Sequence, residues 1–117
     1  MKGCKEGSAI INMSLQQKEL DNDAIIKMLG DEQAKTIYLL ISQKPRVASE
    51  LRKETNIPST TLYRKLTWLL EKGLVRGMIQ QRSHYTKILL YPIIESVVIN
   101  FSKEKGIKIY TKLVYEQ

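Results

Sequence analysis

Ser59, Thr60, Thr61, Tyr63, Arg64 and Lys65 stand in one short run, PSTTLYRK. Short hydroxyls, a guanidinium and an ammonium within two turns of a helix are groups that read base edges and hold phosphates in a major groove. Pro58-Ser59 opens that helix with Ser59 as N-cap, and the helix runs over 60–72 until Gly73 stops it. Leu62, Leu66, Leu69 and Leu70 make its buried stripe, which leaves the polar groups outside. Lys44 and Arg46 add two cations ahead of an earlier short helix, where a phosphate near that helix's start would be held. Gln81 and Arg82 belong to a polar tip, Gln81-Arg82-Ser83, suited to a duplex backbone or minor groove.

Other chemistries lack their parts. The 117 residues include one Cys and one His. A nucleophilic triad needs a His oriented by an acid, and His84 has no acid near it in sequence, so it reads as a packing residue. One Cys and one His cannot cage a metal unless carboxylates do most of the work. There is no glycine-rich phosphate loop. The expectation is a protein that is not an enzyme and has no cofactor and no metal. Cys4, read as incidental, excludes a disulfide scaffold and suits a reducing compartment. The longest apolar stretch, ILLYPII, is far short of the ~20 residues that span a membrane, and residues 1–15 hold no secretory core. A soluble cytoplasmic protein without a membrane partner is expected.

Charge narrows the partner. The net charge is +7, and the surplus lies entirely in the middle of the chain. Residues 44–87 hold ten basic and three acidic side chains, whereas both flanks are close to neutral. A concentrated surplus points to a polyanion, nucleic acid before membrane.

The elements that must position these residues follow from periodicity. Residues 1–13 show none and read as a flexible head. An N-terminal helix is expected over 14–30: Ser14 with Gln17 resembles a capping box, and Leu15, Leu20, Ala24, Ile25, Met28 and Leu29 recur at helical spacing. Asp21-Asn22-Asp23 can break and recap it. Asp31 caps a second helix over DEQAKTIYLLISQ, with Ala34, Ile37, Tyr38 and Ile41 on one stripe and Lys44-Pro45 ending it. A third helix covers about 48–55. After Gly73 the period changes to that of strands, over 74–80 and 84–91, with Pro92 closing the second. Residues 96–101 and 107–114 form a further hairpin, with Gly106 at the turn position that needs positive φ. The fold class is α+β, mainly α. Its domain is 31–92, preceded by the helix of 14–30 and followed by a β-hairpin extension over 93–117.

Two helices joined by a tight turn, then a hairpin, make a winged helix-turn-helix. The shorter helix braces the longer one through Leu51, Ile57, Leu62, Leu66 and Leu69, so that the longer one's outer face can enter a groove. Residues 28–91 also resemble the arsenic-repressor-type (ArsR-like) regulators. The resemblance lies in Leu29-Gly30-Asp31, Ser49-Glu50-Leu51, Ser59-Thr60-Thr61-Leu62-Tyr63-Arg64 and Gly73-Leu74-Val75. It implies a DNA-binding transcription regulator. Metal-sensing members carry cysteines in the bracing helix; ASELRKET has none, and a hairpin stands where the family has a helical tail.

The expected function is therefore sequence-specific binding of double-stranded DNA in transcription regulation. Helix 60–72 would lie in the major groove and wing 74–91 on flanking DNA. A homodimer is expected, because one such module reads few base pairs. The apolar surplus of Leu15–Leu29 and Val97–Leu113 offers its surface, and Trp68 is expected on the hairpin or on a partner subunit. Two other readings share the fold: a protein-interaction module, and an RNA or general transcription-machinery binder.

Overall fold

The structure is a computed structural model that describes residues 20–81 and 84–114. The expected head, Cys4, residues 14–19, Arg82 and Ser83 lie outside the described residues.

Asp21 starts the first helix, α1 (Asn22–Gly30), its carboxylate accepting from the Asp23 N–H at 3.0 Å. The Asp-Asn-Asp triplet thus does begin a helix here. Asp31 closes α1, and its Oδ1 accepts from the N–H groups of Gln33 and Ala34, both at 3.0 Å, to open α2 (Glu32–Gln43). Ala34, Ile37, Tyr38 and Ile41 are buried, as their spacing predicts.

Arg46–Val47 then forms a two-residue strand, β1. It leads into α3 (Ala48–Glu54), where Val47 has no side-chain oxygen to cap with. Glu50 supplies part of the cap instead, accepting from the Val47 N–H at 3.0 Å. The turn of residues 55–58 delivers the chain to α4 (Ser59–Glu71). Pro58, not Ser59, is the residue at the N-cap, so the hydroxyl of Ser59 belongs to the first helical turn and makes no cap. Leu62, Leu66 and Leu69 are buried, but Leu70 is 41% exposed at the edge of the stripe. Gly73 has φ +74°, and the N–H groups of Gly73 and Leu74 return to the carbonyls of Leu70 and Leu69. A side chain would be strained in that left-handed helix stop.

β2 (Val75–Gln81) and β3 (Thr86–Pro92) pair antiparallel from Val75↔Pro92 to Gln81↔Thr86. β1 joins the other edge of β3 through Arg46↔Leu90 and Val47↔Leu89, giving the order β1-β3-β2. β4 (Ile94–Ser102) and β5 (Gly106–Leu113) form a separate antiparallel hairpin that turns at Gly106, φ +74°. The fold is α+β.

The core gathers Ile25, Ile37, Ile41, Leu51, Leu62, Leu69 and Leu74, all fully buried. Tyr38 ties it to the strands. Its hydroxyl donates to the Leu74 carbonyl at 2.7 Å and accepts from the N–H groups of Ile93 and Ile94 at 3.2 and 3.0 Å. Burial raises the phenol's pKa, partly offset by the two donated amide hydrogen bonds.

Three expectations need correction. Ala24, Ile25 and Met28 of α1 are buried in this chain's own core, so that stripe is not spare surface for a dimer. Trp68 is half-buried against the core and lines a cavity beside α1 and α2 rather than lying on the hairpin. His84 is exposed, not buried in the packing of the wing. Among the described residues, no helix is long and apolar enough to cross a membrane.

Candidate nucleic-acid interface

The outer face of α4 is built by subtraction. With Leu62, Leu66 and Leu69 turned inward, Thr60, Tyr63, Arg64 and Thr67 fall at i, i+3, i+4 and i+7 and share the opposite, exposed face. Ser59 is exposed beside them, and Thr61 is half-buried at the edge. Tyr63 is 49% exposed and so can offer both ring and hydroxyl to a ligand. α3 packs against α4 and holds this face outward.

Lys65 has a different post. Its ammonium bonds Oδ2 of Asp31, the same carboxylate whose Oδ1 caps α2. The bond from Lys65 is the main cause, with the Ala34 N–H next, that holds the Asp31 carboxyl below the usual carboxylate range. One carboxylate therefore docks α4 on the start of α2.

Arg46 also departs from its expected place. The side chain is buried. Its guanidinium bonds the Glu54 carboxylate, donates to Gln43 Oε1 at 3.2 Å and to the Lys44 carbonyl at 3.3 Å. Arg46 thus clamps the end of α2 to the end of α3, and the expectation that it holds a phosphate is corrected. Lys44, next to it, is exposed. Gln81 is exposed at the end of β2, where Oε1 lies 3.5 Å from the Thr86 hydroxyl.

Some residues were passed over. Thr67 shares the exposed stripe of α4, and the i+7 spacing from Thr60 was there to find it. Arg52 and Lys53 are exposed in the last turn of α3. Lys27 joins Asp31, Arg64, Lys65 and Trp68 around a cavity of about 430 Å³. That places a third cation beside Arg64, and no sequence spacing signals it because the two are brought together only by the docking of α1 near α4. Among the described residues, no group of three or more His, Cys, Asp and Glu side chains could hold a metal ion.

Chemically the face can donate hydrogen bonds and neutralise anions. No protein-family model and no curated protein matches the chain.

Proposed function

We propose that the protein is a winged helix-turn-helix regulator of the ArsR-like kind that binds double-stranded DNA sequence-specifically, as a homodimer and without catalysis. The observation that carries this reading is the exposed stripe of α4, where Thr60, Tyr63, Arg64 and Thr67 stand together opposite a leucine face. The helix-turn-helix order of α3 and α4, the hairpin of β2 and β3 directly after them, and the basic surplus of residues 44–87 support it. Helix α4 lies in the major groove. Arg64, one turn and a half inside the helix, meets a guanine edge with two hydrogen bonds. The β2–β3 hairpin, with Gln81 at the end of β2 and Arg82 next in sequence, lies on the flanking backbone or minor groove. Lys65 steadies α4 from Asp31 rather than reading bases. The protein works in the cytoplasm, on DNA.

A protein-docking module would need an apolar or acidic face on α4, which the exposed Thr60, Arg64 and Thr67 do not provide. The test is selection of bound duplexes from a random pool, followed by Arg64→Ala on the selected site. The expected consensus is two-fold symmetric. Arg64→Ala should cost ~1–3 kcal/mol on that site and much less on random duplex. A pool that yields no consensus, or discrimination untouched by Arg64→Ala, removes the reading.

A further inference from the structure

The C-terminal hairpin has two unlike faces. Directly paired residues of an antiparallel ladder share a face, so Val97↔Thr111, Ile99↔Ile109 and Phe101↔Ile107 lie on one side. Leu113 continues that row. Ser96↔Lys112, Val98↔Tyr110 and Asn100↔Lys108 take the other side. Close to the body, Val97 and Ile109 are half-buried against the core. Toward the tip the row is open, with Phe101 76% exposed, Ile107 55% and Ile99 47%, and at the base Leu113 is 41% exposed. No charged residue interrupts it. At its base the row itself lines a groove of about 1160 Å³ whose other walls mix apolar Leu70, Val75 and Ile93 with charged Glu71, Lys72 and Arg76.

A two-stranded hairpin with an uncovered apolar face is marginal in water, and contiguous apolar patches of this kind mark association sites. We propose that a second copy of this chain covers it, the two hairpins packing apolar face to apolar face in opposite directions, so that Phe101 and Ile107 of each tip lie over the groove at the other's base. This deepens the dimer part of the reading above and rests on it, but not on DNA recognition. Two features favour a second copy as occupant. The face carries a protruding end and a receiving end, separated by a strand of about 25 Å, and one two-fold rotation fills both grooves at once and leaves no open end for a third copy. Four open apolar side chains per copy, Ile99, Phe101, Ile107 and Leu113, together with the groove walls, are a surface of the scale that a stable interface of ~800 Å² per partner needs.

Sedimentation of the full chain without DNA, from 1 to 100 µM, tests the proposal. Twice 13.5 kDa is expected for the wild type. Phe101→Glu should raise the dissociation constant at least a hundredfold, while Val98→Glu on the other face leaves the dimer intact. Circular dichroism checks that each variant retains its helices. Crosslinking covers the case in which a charge unfolds the hairpin. In a Cys4→Ser background, Ile99→Cys should join two copies through a short bismaleimide, and Val98→Cys should not. A monomeric wild type, a dimer that survives Phe101→Glu, equal crosslinking from both faces, or species larger than a dimer would each overturn the proposal. None of these measurements involves DNA, so loss of the dimer surface and loss of the DNA reading are told apart.

Discussion

At the scale of single residues, the sequence ranks the cations of the central segment by position alone, and the structure sorts them by partner. Arg64 remains on the open face, Lys65 is tied to Asp31, and Arg46 is folded inward on Glu54, Gln43 and the Lys44 carbonyl. Nothing in a one-dimensional pattern distinguishes these, because the acceptor of Lys65, Asp31, stands 34 residues away. The three can be separated by experiment. Arg46→Met keeps the buried stem and deletes charge-assisted hydrogen bonds, typically ~1.5–3 kcal/mol in stability, and should leave the salt dependence of DNA binding unchanged. A salt slope reduced by ~1 would mean that Arg46 holds a phosphate after all. Asp31 carries the other residue-level prediction. Its carboxyl is held below its ordinary value in the folded chain, chiefly by Lys65, so the charged form favours folding. That contribution is fully present above the unfolded value, ~3.9, and is lost as pH falls through the lower folded value. Denaturant melts between pH 2 and 7 should therefore show Asp31→Ala removing part of the acid-side slope. At pH 7 its loss should be ~0.5–2 kcal/mol, as for a lost helix cap. Lys65→Ala should cost less, because the pair is partly solvated and the cap survives. The reverse order would show that the ion pair, not the cap, dominates.

At the scale of elements, long periodic segments were legible and short ones were not. The stripe Ala34, Ile37, Tyr38, Ile41 defines α2 without ambiguity, and Gly73 and Gly106 mark their turns because only a residue free of a Cβ takes φ +74° at little cost. β1 was missed. Two residues, Arg46 and Val47, carry no period, and they become a strand only because β3 lies alongside. The start of α4 shifted by a residue for a similar reason: Pro58 supplies its fixed φ at the N-cap, and Ser59 is drawn into the first turn. The border between the β3 edge and the C-terminal hairpin was also set by a contact that spacing does not reveal, the Tyr38 hydroxyl on the amides of Ile93 and Ile94. That contact makes a prediction. A chain ending after Glu95 keeps buried Ile94 and the Tyr38 anchor, and should still melt cooperatively, with a lowered midpoint from the loss of Val97 and Ile109. A chain ending after Pro92 loses Ile94 and strips Tyr38 of both donors, a buried apolar side chain of ~1.5–3 kcal/mol plus buried hydrogen bonds. Thermal melts of the two should differ by many degrees. Equal midpoints would show that the anchor contributes nothing and that the domain ends at Pro92.

At the scale of the whole molecule, charge and shape divide the labour. The described residues measure 53 × 32 × 21 Å, and the two flanks of the chain are nearly neutral while residues 44–87 carry the positive excess. Helices α3 and α4 hold four of that segment's ten cations, Arg52, Lys53, Arg64 and Lys65, and the hairpin of β4 and β5 carries an uncharged row on one face. If the two ends act as proposed, DNA affinity should depend on two separable variables. In that case each copy neutralises phosphates through Lys44, Arg52, Lys53 and the β2–β3 tip, so a dimer making about eight such contacts should lose ~10⁴ in affinity between 50 and 200 mM salt. Self-association through an apolar row should change little over the same range, since uncharged surfaces are not screened. Fluorescence anisotropy of a labelled duplex, read at fixed protein across a salt series and beside sedimentation in the same buffers, checks both. A steep salt slope for DNA with a flat one for the dimer is the expected pair. A flat slope for DNA would sink the phosphate assignment, and a dimer that dissociates steeply with salt would mean that charges, not Phe101 and Ile107, hold the copies together.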